Sequence, residues 1–251
     1  MIKEIQSANN PYIKDLSKLK EKKYRNLNKK YLIEGFHLVK EAYNKKCLKE
    51  VLYVNSEDVK EIDDKSISFI KVSKEVINKL SDTTTPQSVI GVCEIKDKLI
   101  NYNEYKHLLI LDGVNDPGNL GTLIRTALGF NIDLIVLSND TVDLYNSKTI
   151  RATQGAMFAL PIVYRNLESE LDIIKEAKIK IIGTSLNTNV TLEKLEKCDR
   201  YAIVLGNEAR GVKDSTLAKT DINVIIKTNA LLESLNVSIA GAIMMYELNK
   251  K

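Results

Sequence analysis

The sequence predicts an α/β protein whose larger, C-terminal part is a parallel β-sheet with helices on both faces. Three observations carry this expectation. Apolar runs of strand length alternate with segments of helical periodicity along the whole chain. The runs "LLIL", "LIVL" and "AIVL", all beyond residue 107, are continuously apolar, as strands buried on both faces are. Gly, Pro, Asn and Asp cluster behind those runs and not within them. With 251 residues, 44% of them hydrophobic, the chain can form one large or two modest domains.

The first ninety-odd residues form a small α/β unit. "NPYIKDLSKLKEKKY" reads as one helix behind Pro11, with Ile13, Leu16 and Leu19 at helical spacing. "YLIEG" is a short strand, "FHLVKEAYNKK" a helix, "LKEVLYVN" a strand and "DVKEIDDK" a charged helix or turn. Strand, helix and strand follow in "SISFIKVS", "KEVINKLSD" and "SVIGVCEI". The polar stretch 96–105, "KDKLINYNEY", is read as a linker that separates a domain at 1–95 from one at 106–251. Beyond it, "HLLILDGV" and "DLIVLS" are buried strands flanking the helix "NLGTLIRTALGF", and "SKTIRATQGAMFAL" is helical. "PIVYR", "LESELDIIKEAKI", "KIIGTSL", "YAIVLG", "DSTLAK" and "INVIIK" continue the alternation, and "LNVSIAGAIMMYELNKK" is a closing helix.

Composition excludes several classes. No apolar run nears the roughly 20 residues that span a bilayer. The N-terminus lacks the apolar core of a signal peptide, so a cytoplasmic location is expected. Cys47, Cys93 and Cys198 are odd in number and far apart, so they are read as buried, reduced thiols and not as a disulfide or zinc pattern. No metal site is expected. Net charge is +4, but residues 1–50 hold 13 Lys/Arg and 6 Asp/Glu, a balance of +7, which leaves −3 for the rest. The excess is densest in "KDLSKLKEKKYRNLNKK", where Lys14, Lys18, Lys22, Lys23 and Arg25 surround Tyr24. Such a segment suits a nucleic-acid backbone, or is a solvated lysine-rich face.

In open α/β sheets ligands bind beyond the carboxyl ends of strands, so the turns there carry the functional signal. In "LDGVNDPGNLGTLIRTA", Gly113 and Gly118 have P-loop spacing, but Asn119 and Leu120 replace the Lys and Ser/Thr that hold phosphate and magnesium. A dinucleotide fingerprint fails too, because residue 116 is Asp. Pro117 and Gly118 make a turn, Asn119 is a candidate helix cap, and Leu120, Leu123, Ile124, Ala127 and Leu128 form the buried stripe. Gly129 is a candidate C-terminal stop. Arg125 lies off the stripe, and on local evidence alone is a solvated arginine. In "VLGNEARGV", Gly206 allows a sharp bend and Glu208 is an acid at the end of a buried strand. In "ESLNVSIAGAIMM", Ser234 and Asn236 enter the last helix, and small residues at Ser238, Gly241 and Ala242 permit close packing.

Taken together and in this order, "NDPGNLGTLIRTA", "VLGNEARG" and "ESLNVSIA" resemble the three signature motifs of the SpoU, or TrmH-like, family of RNA ribose 2′-O-methyltransferases, of the SPOUT class. The resemblance covers residues 106–251. "NPYIKDL", "YLIEGFHLVKEA" and "PQSVIGV" are similar to the ribosomal-protein-like RNA-binding domain that precedes the catalytic domain in many members.

The resemblance implies a deep trefoil knot, S-adenosylmethionine as cofactor and a homodimer through the catalytic domain, with the small residues of the last helix at the interface. It implies a cofactor pocket of Thr184, Leu205, Gly206, Ile226 and Leu235. Arg125 would weaken the hold on the ribose 2′-OH proton, helped by an RNA phosphate; on the chemistry of a guanidinium, clamping that phosphate and orienting the hydroxyl is the better role. Asn119 would position the ribose, Glu208 is the competing base, and Ser234 and Asn236 would bind the target nucleotide or order the site. Lys227, Thr228 and Ala230 stand where the family has Pro, Met and Gly, and Ala209 replaces a second common Gly. The RNA expected is 23S rRNA. A tRNA target, an antibiotic-resistance role and a non-catalytic ribosome-assembly factor are the alternatives.

Overall fold

The computed structural model describes residues 3–196, 198–229 and 231–250. In chain order the elements are β1 (Lys3–Ile5), α1 (Pro11–Lys18), α2 (Lys22–Asn28), β2 (Lys30–Glu34), α3 (Phe36–Asn44), β3 (Leu48–Tyr53), β4 (Ser68–Val72), α4 (Lys74–Leu80) and β5 (Val89–Glu94). They continue as β6 (His107–Asp112), α5 (Pro117–Gly129), β7 (Leu134–Ser138), α6 (Ser147–Thr153), β8 (Ile162–Arg165), α7 (Leu167–Glu176), β9 (Lys180–Thr184), β10 (Tyr201–Gly206), α8 (Asp214–Leu217), β11 (Ile222–Val224) and α9 (Val237–Lys250). Contacts group the chain into two units. One runs to Asp97 and takes in Asp143–Ala159; the other comprises Lys98–Val142 and the chain from Leu160 onward.

The first unit holds a mixed sheet in the order β1-β4-β3-β5-β2, parallel between β1, β4 and β3 and antiparallel at β5. Its core joins Ile13, Leu16 and Leu19 to Leu52, Ile70, Val76 and Ile90. β1 went unread in the sequence because three residues are too few to show a period. Segment 143–159 belongs by contact to this unit, although its sequence position suggested the C-terminal one. Tyr145 packs on Tyr31 with ring centroids 4.5 Å apart, and Gly155 takes a φ of 89° against Glu41, where a Cβ would lie 2.8 Å from Cγ.

The single N-terminal helix expected from the sequence is two helices, because the chain breaks at Lys20 and Glu21. Arg25 explains the break. It donates from Nη1 to the carbonyls of Leu19 (2.7 Å) and Lys20 (2.6 Å) and pairs with Asp143 through Nη2. Carbonyls left open at a helix end thus find a cationic donor. Arg25 is only 5% exposed, which corrects its expected place on an RNA-facing surface. Lys14, Lys18, Lys22 and Lys23 are exposed, with Lys18 2.8 Å from Asp15. Of the three thiols only Cys93 is buried; Cys47 and Cys198 are intermediate.

The second unit is a six-stranded, wholly parallel sheet in the order β11-β9-β10-β6-β7-β8. Leu108–Leu111 and Leu134–Leu137 are completely buried, as their unbroken apolar runs require. Each such side chain contributes roughly 1.5–3 kcal/mol on burial. Residues 98–105 are not a free linker here. Tyr102 is buried and donates its hydroxyl to Glu170 Oε1 at 2.5 Å. Arg200 donates to the carbonyls of Tyr102 (2.9 Å), Tyr105 (3.0 Å) and Ala177 (2.5 Å). The polar letters of this stretch hid two tyrosines that anchor it.

α5 packs on α9. A Cβ on Gly241 would lie 2.5 Å from Leu123 Cδ2 and 2.7 Å from Leu205 Cδ1. Ser238, Gly241 and Met245 are buried by the chain's own α5 and β10, and Ala242 is half-buried, so the small residues pack internally. Leu128, expected in the buried stripe of α5, is 42% exposed, and Gly121 is buried instead. Gly129 is the last helical residue; the left-handed turn falls on Asn131, with φ 58°.

Substituting Arg25 by Ala should lower the free energy of unfolding by about 3–5 kcal/mol in urea titration, because Asp143, with its side chain only 13% exposed, is left without its counter-charge. A loss below about 1 kcal/mol, the range of an exposed pair, would show that the Arg25–Asp143 contact carries no such weight.

Candidate active site

β6 and β10 are hydrogen-bonded neighbours, with Gly206 opposite Asp112 in register. The turns after them therefore leave the sheet side by side. The first, Gly113–Asp116, starts at a glycine with φ 79°. It ends in Asp116, whose carboxylate accepts from the Asn119 amide at 2.8 Å and caps α5 with Pro117 in the first turn. The cap expected at Asn119 is thus three residues earlier. This releases the Asn119 side chain for other work.

Asn119 Nδ2 donates to Glu208 Oε1 at 3.0 Å, and Asn119 Oδ1 accepts from Asn236 Nδ2 at 3.0 Å. Glu208 also accepts from the amides of Asn115 (3.1 Å) and Asp116 (3.2 Å). Asn236 in turn caps α9, its Oδ1 accepting from Ser238 N (2.9 Å) and Ser238 Oγ (2.6 Å). The start of α5, the second turn and the segment entering α9 thus each give one residue to a single chain, Glu208–Asn119–Asn236. Asn207 closes the second turn: its Oδ1 accepts from Ala209 N (3.0 Å) and Arg210 N (3.2 Å), and its Nδ2 donates to Gly113 O (2.8 Å). The structural importance of Asn207 was missed in the sequence, although an Asn two and three residues before amides is a turn signal.

The Glu208 carboxyl is raised by burial, but hydrogen bonds from Asn119 and from the amides of Asn115, Glu208 and Asp116 outweigh this and hold it below the ordinary glutamate value. A carboxylate so well supplied with donors is a poor proton acceptor at neutral pH. Arg125 stands apart. Six residues beyond Asn119, it projects about 240° further round the helix. It is exposed and, among the described residues, makes no hydrogen bond or ion pair. Ser234 is exposed and lines a cavity.

That cavity, of about 410 Å³, lies between the ends of β9, β10 and β11 and the segment entering α9. Thr184, Leu205, Gly206, Ile226 and Leu235 all line it. Val212, Val224 and Leu217 extend the apolar wall, while Asp214 and Glu233 add carboxylates that the sequence reading did not select. Thr184 is fixed by donating to Val204 O at 2.9 Å. A Cβ on Gly206 would collide with the backbone of Gly211 and Val212, so only glycine lets the returning turn pass this close. Thr228 lines the cavity, Lys227 does not, and Ala230 lies outside the described residues. Among the described residues no group of His, Cys, Asp and Glu could hold a metal ion, and no helix is long and apolar enough to cross a membrane.

A six-stranded parallel sheet with three polar turns meeting beyond its strand ends, beside a cavity of ligand size, defines an open parallel α/β class of binding or transfer protein. The chain belongs to the SpoU rRNA Methylase family, whose model matches residues 106–246. An MRM3-like substrate binding domain model matches residues 10–91. The chain is 37% identical over 248 residues, 98% of its length and 99% of the relative's, to the 23S rRNA (guanosine(2553)-2'-O)-methyltransferase RlmP of Bacillus subtilis. It is 31% identical to the 23S rRNA (guanosine-2'-O-)-methyltransferase RlmB of Neisseria meningitidis serogroup B, across 70% of this chain and 73% of that one. The AdoMet-bound rRNA methyltransferase of Sinorhizobium meliloti superposes with a TM-score of 0.90 at 29% identity, covering 99% of this chain and 98% of the other.

Replacing Gly206 by Ala should abolish cofactor binding by calorimetry with S-adenosylmethionine, because the turn 207–211 has to move off the cavity wall. Unchanged affinity would mean that the close approach at Gly206 does not shape the cavity.

Proposed function

We propose that this protein is an S-adenosylmethionine-dependent methyltransferase that modifies a ribose 2′-hydroxyl in 23S rRNA. The single observation that carries the reading is the Glu208–Asn119–Asn236 chain set beside the 410 Å³ cavity, in a sheet that belongs to the SpoU family. Likeness to 23S rRNA methyltransferases along nearly the whole chain supports the choice of RNA. So does the match of residues 10–91 to a substrate binding domain. An rRNA target fits action in the cytoplasm. A non-catalytic assembly factor would have no need of the three-turn polar chain.

The cavity suits the cofactor on chemical grounds. Leu205, Val212, Ile226 and Leu235 offer apolar faces to an adenine ring, and Asp214 and Glu233 offer carboxylates to the hydroxyls and the amino group. When bound, S-adenosylmethionine supplies the electrophilic methyl group. The protein's own residues then supply alignment and desolvation. Glu208 anchors the Asn119 amide, and Asn119 and Asn236 present a fixed polar edge to the ribose. Ser234 orders the nucleotide at the cavity mouth. Arg125, which makes no hydrogen bond or ion pair among the described residues, offers its donor fork to an RNA phosphate. It orients the hydroxyl through that phosphate. A guanidinium offers five donors in a planar fork and no acceptor, so phosphate clamping fits it better than proton abstraction. The depressed Glu208 carboxyl argues against the competing base. Lys14, Lys18, Lys22 and Lys23 remain as RNA-facing cations of the first domain.

A trefoil knot is part of this reading, and membership of the SpoU family is what supports it. A homodimer is too. Ile239, Ile243 and Tyr246 recur at helical spacing on the solvent side of α9, 52%, 36% and 50% exposed, and Phe130 meets Tyr246 at 5.9 Å. This apolar face, not the small-residue face, is the one a second copy would cover.

Arg125→Lys should reduce methyl transfer to unmodified 23S rRNA by at least about 10²-fold, the usual weight of a positioned catalytic group, while S-adenosylmethionine binds as before. An active Arg125→Lys variant alongside a dead Glu208→Gln variant would reverse the two roles. Ile243→Asp should turn a dimer into a monomer in light scattering at micromolar protein; a monomeric wild type would refute the dimer.

A further inference from the structure

Behind the Glu208 turn lies a second polar cluster, which the proposed chemistry does not use. Asp112, the last residue of β6, is 1% exposed. Its Oδ2 accepts from the backbone amide of Lys213 at 3.1 Å. Its Oδ1 makes no hydrogen bond among the described residues and has the Lys213 ammonium, 3.1 Å away, as counter-charge. The same ammonium lies 2.8 Å from Asp140 Oδ2. Asp140 is held in turn by Ser138 Oγ at 2.7 Å, and Ser138 Oγ accepts from Gly113 N at 2.8 Å. Lys213 therefore ties the far end of the second turn to the ends of β6 and β7. The near end of that turn is tied to Gly113 by Asn207. Glu208 sits between the two fastenings, and it touches neither directly.

We infer that Lys213 is a positioning residue for methyl transfer: its ammonium, shared between Asp112 and Asp140, fixes the 207–213 turn so that Glu208 meets Asn115, Asp116 and Asn119. The inference rests on the methyltransferase reading for its effect on turnover, but not for its effect on the turn. A buried carboxylate that loses its cation must shift, take up a proton or admit water. Any of these moves the backbone at Lys213, and displacements of about 1 Å at a remote fastening are enough to cost roughly 10²-fold in rate. Lys213 itself is half exposed and does not line the 410 Å³ cavity. Its side chain carries the charge and Asp140 holds it in place, keeping the ammonium protonated above the ordinary lysine range.

The test uses three variants of the full chain: Lys213→Met, Lys213→Arg and the double variant Asp112→Asn/Lys213→Met. Amide hydrogen exchange at Asn115 and Asp116 reads the Glu208 contacts, and methylation of unmodified 23S rRNA reads turnover. Lys213→Met should lose protection at both amides and at least about tenfold in kcat, with little change in KM for either substrate. Lys213→Arg should keep both within about threefold. The double variant should recover melting temperature, since the uncompensated charge is gone, without recovering protection or kcat. Wild-type protection and rate in Lys213→Met would overturn the inference. So would recovery of protection and rate in the double variant, which would reduce Lys213 to charge balance. If the wild type proved inactive on every RNA, the exchange data alone would still decide the positioning role, and only the methyltransferase reading would fall.

Discussion

β10 runs parallel to β6 through six matched pairs, from Tyr201↔His107 to Gly206↔Asp112, and this pairing sets everything at the site. It brings together turns that are some ninety residues apart in sequence. Once Gly206 lies beside Asp112, Asn207 can reach the Gly113 carbonyl and Glu208 can reach the amides of Asn115 and Asp116. The pairing is itself secured by burial, since both strands are apolar on both faces. A parallel pair needs a long crossover connection, so the ligand-binding turns all emerge at one end of the sheet.

Satisfaction of open backbone donors governs the polar part. Three helix or turn starts, at Asp116, Asn207 and Asn236, are each closed by a side-chain oxygen that takes backbone amides. Because Asp116 caps α5, the Asn119 carboxamide is not spent on its own helix. It can therefore link Glu208 to Asn236, and the fixed polar edge of the site results. The donors that hold Glu208 also lower its proton affinity. Its anchoring role and its weakness as a base have one cause.

The first unit follows the same logic with a different outcome. A basic stretch read from the sequence as RNA-facing, or as a solvated lysine-rich face, is split by the break between α1 and α2. Arg25 turns inward to take up the open carbonyls at that break and to meet Asp143. The lysines around it have a single charge on a flexible stem and stay in water. A guanidinium with five donors can satisfy several acceptors at once when buried, and an ammonium cannot do so as well.

The sequence alone determined the class of fold, the order of nearly all strands and helices, and the three motifs that place the chain near a known family. Those properties depend on local periodicity and on short contiguous strings. Continuous apolar runs read as parallel strands because burial on both faces leaves no room for polar residues. Only the tertiary structure decided which cap residue closes α5, that Arg25 is buried, that Tyr102 and Arg200 dock the supposed linker, and that segment 143–159 packs with the N-terminal unit. It also decided that the small residues of α9 face inward and its isoleucines outward. Each of these depends on partners distant in the chain. A side chain's use is set by the acceptors, charges and free volume that folding brings to it, and no local pattern records them.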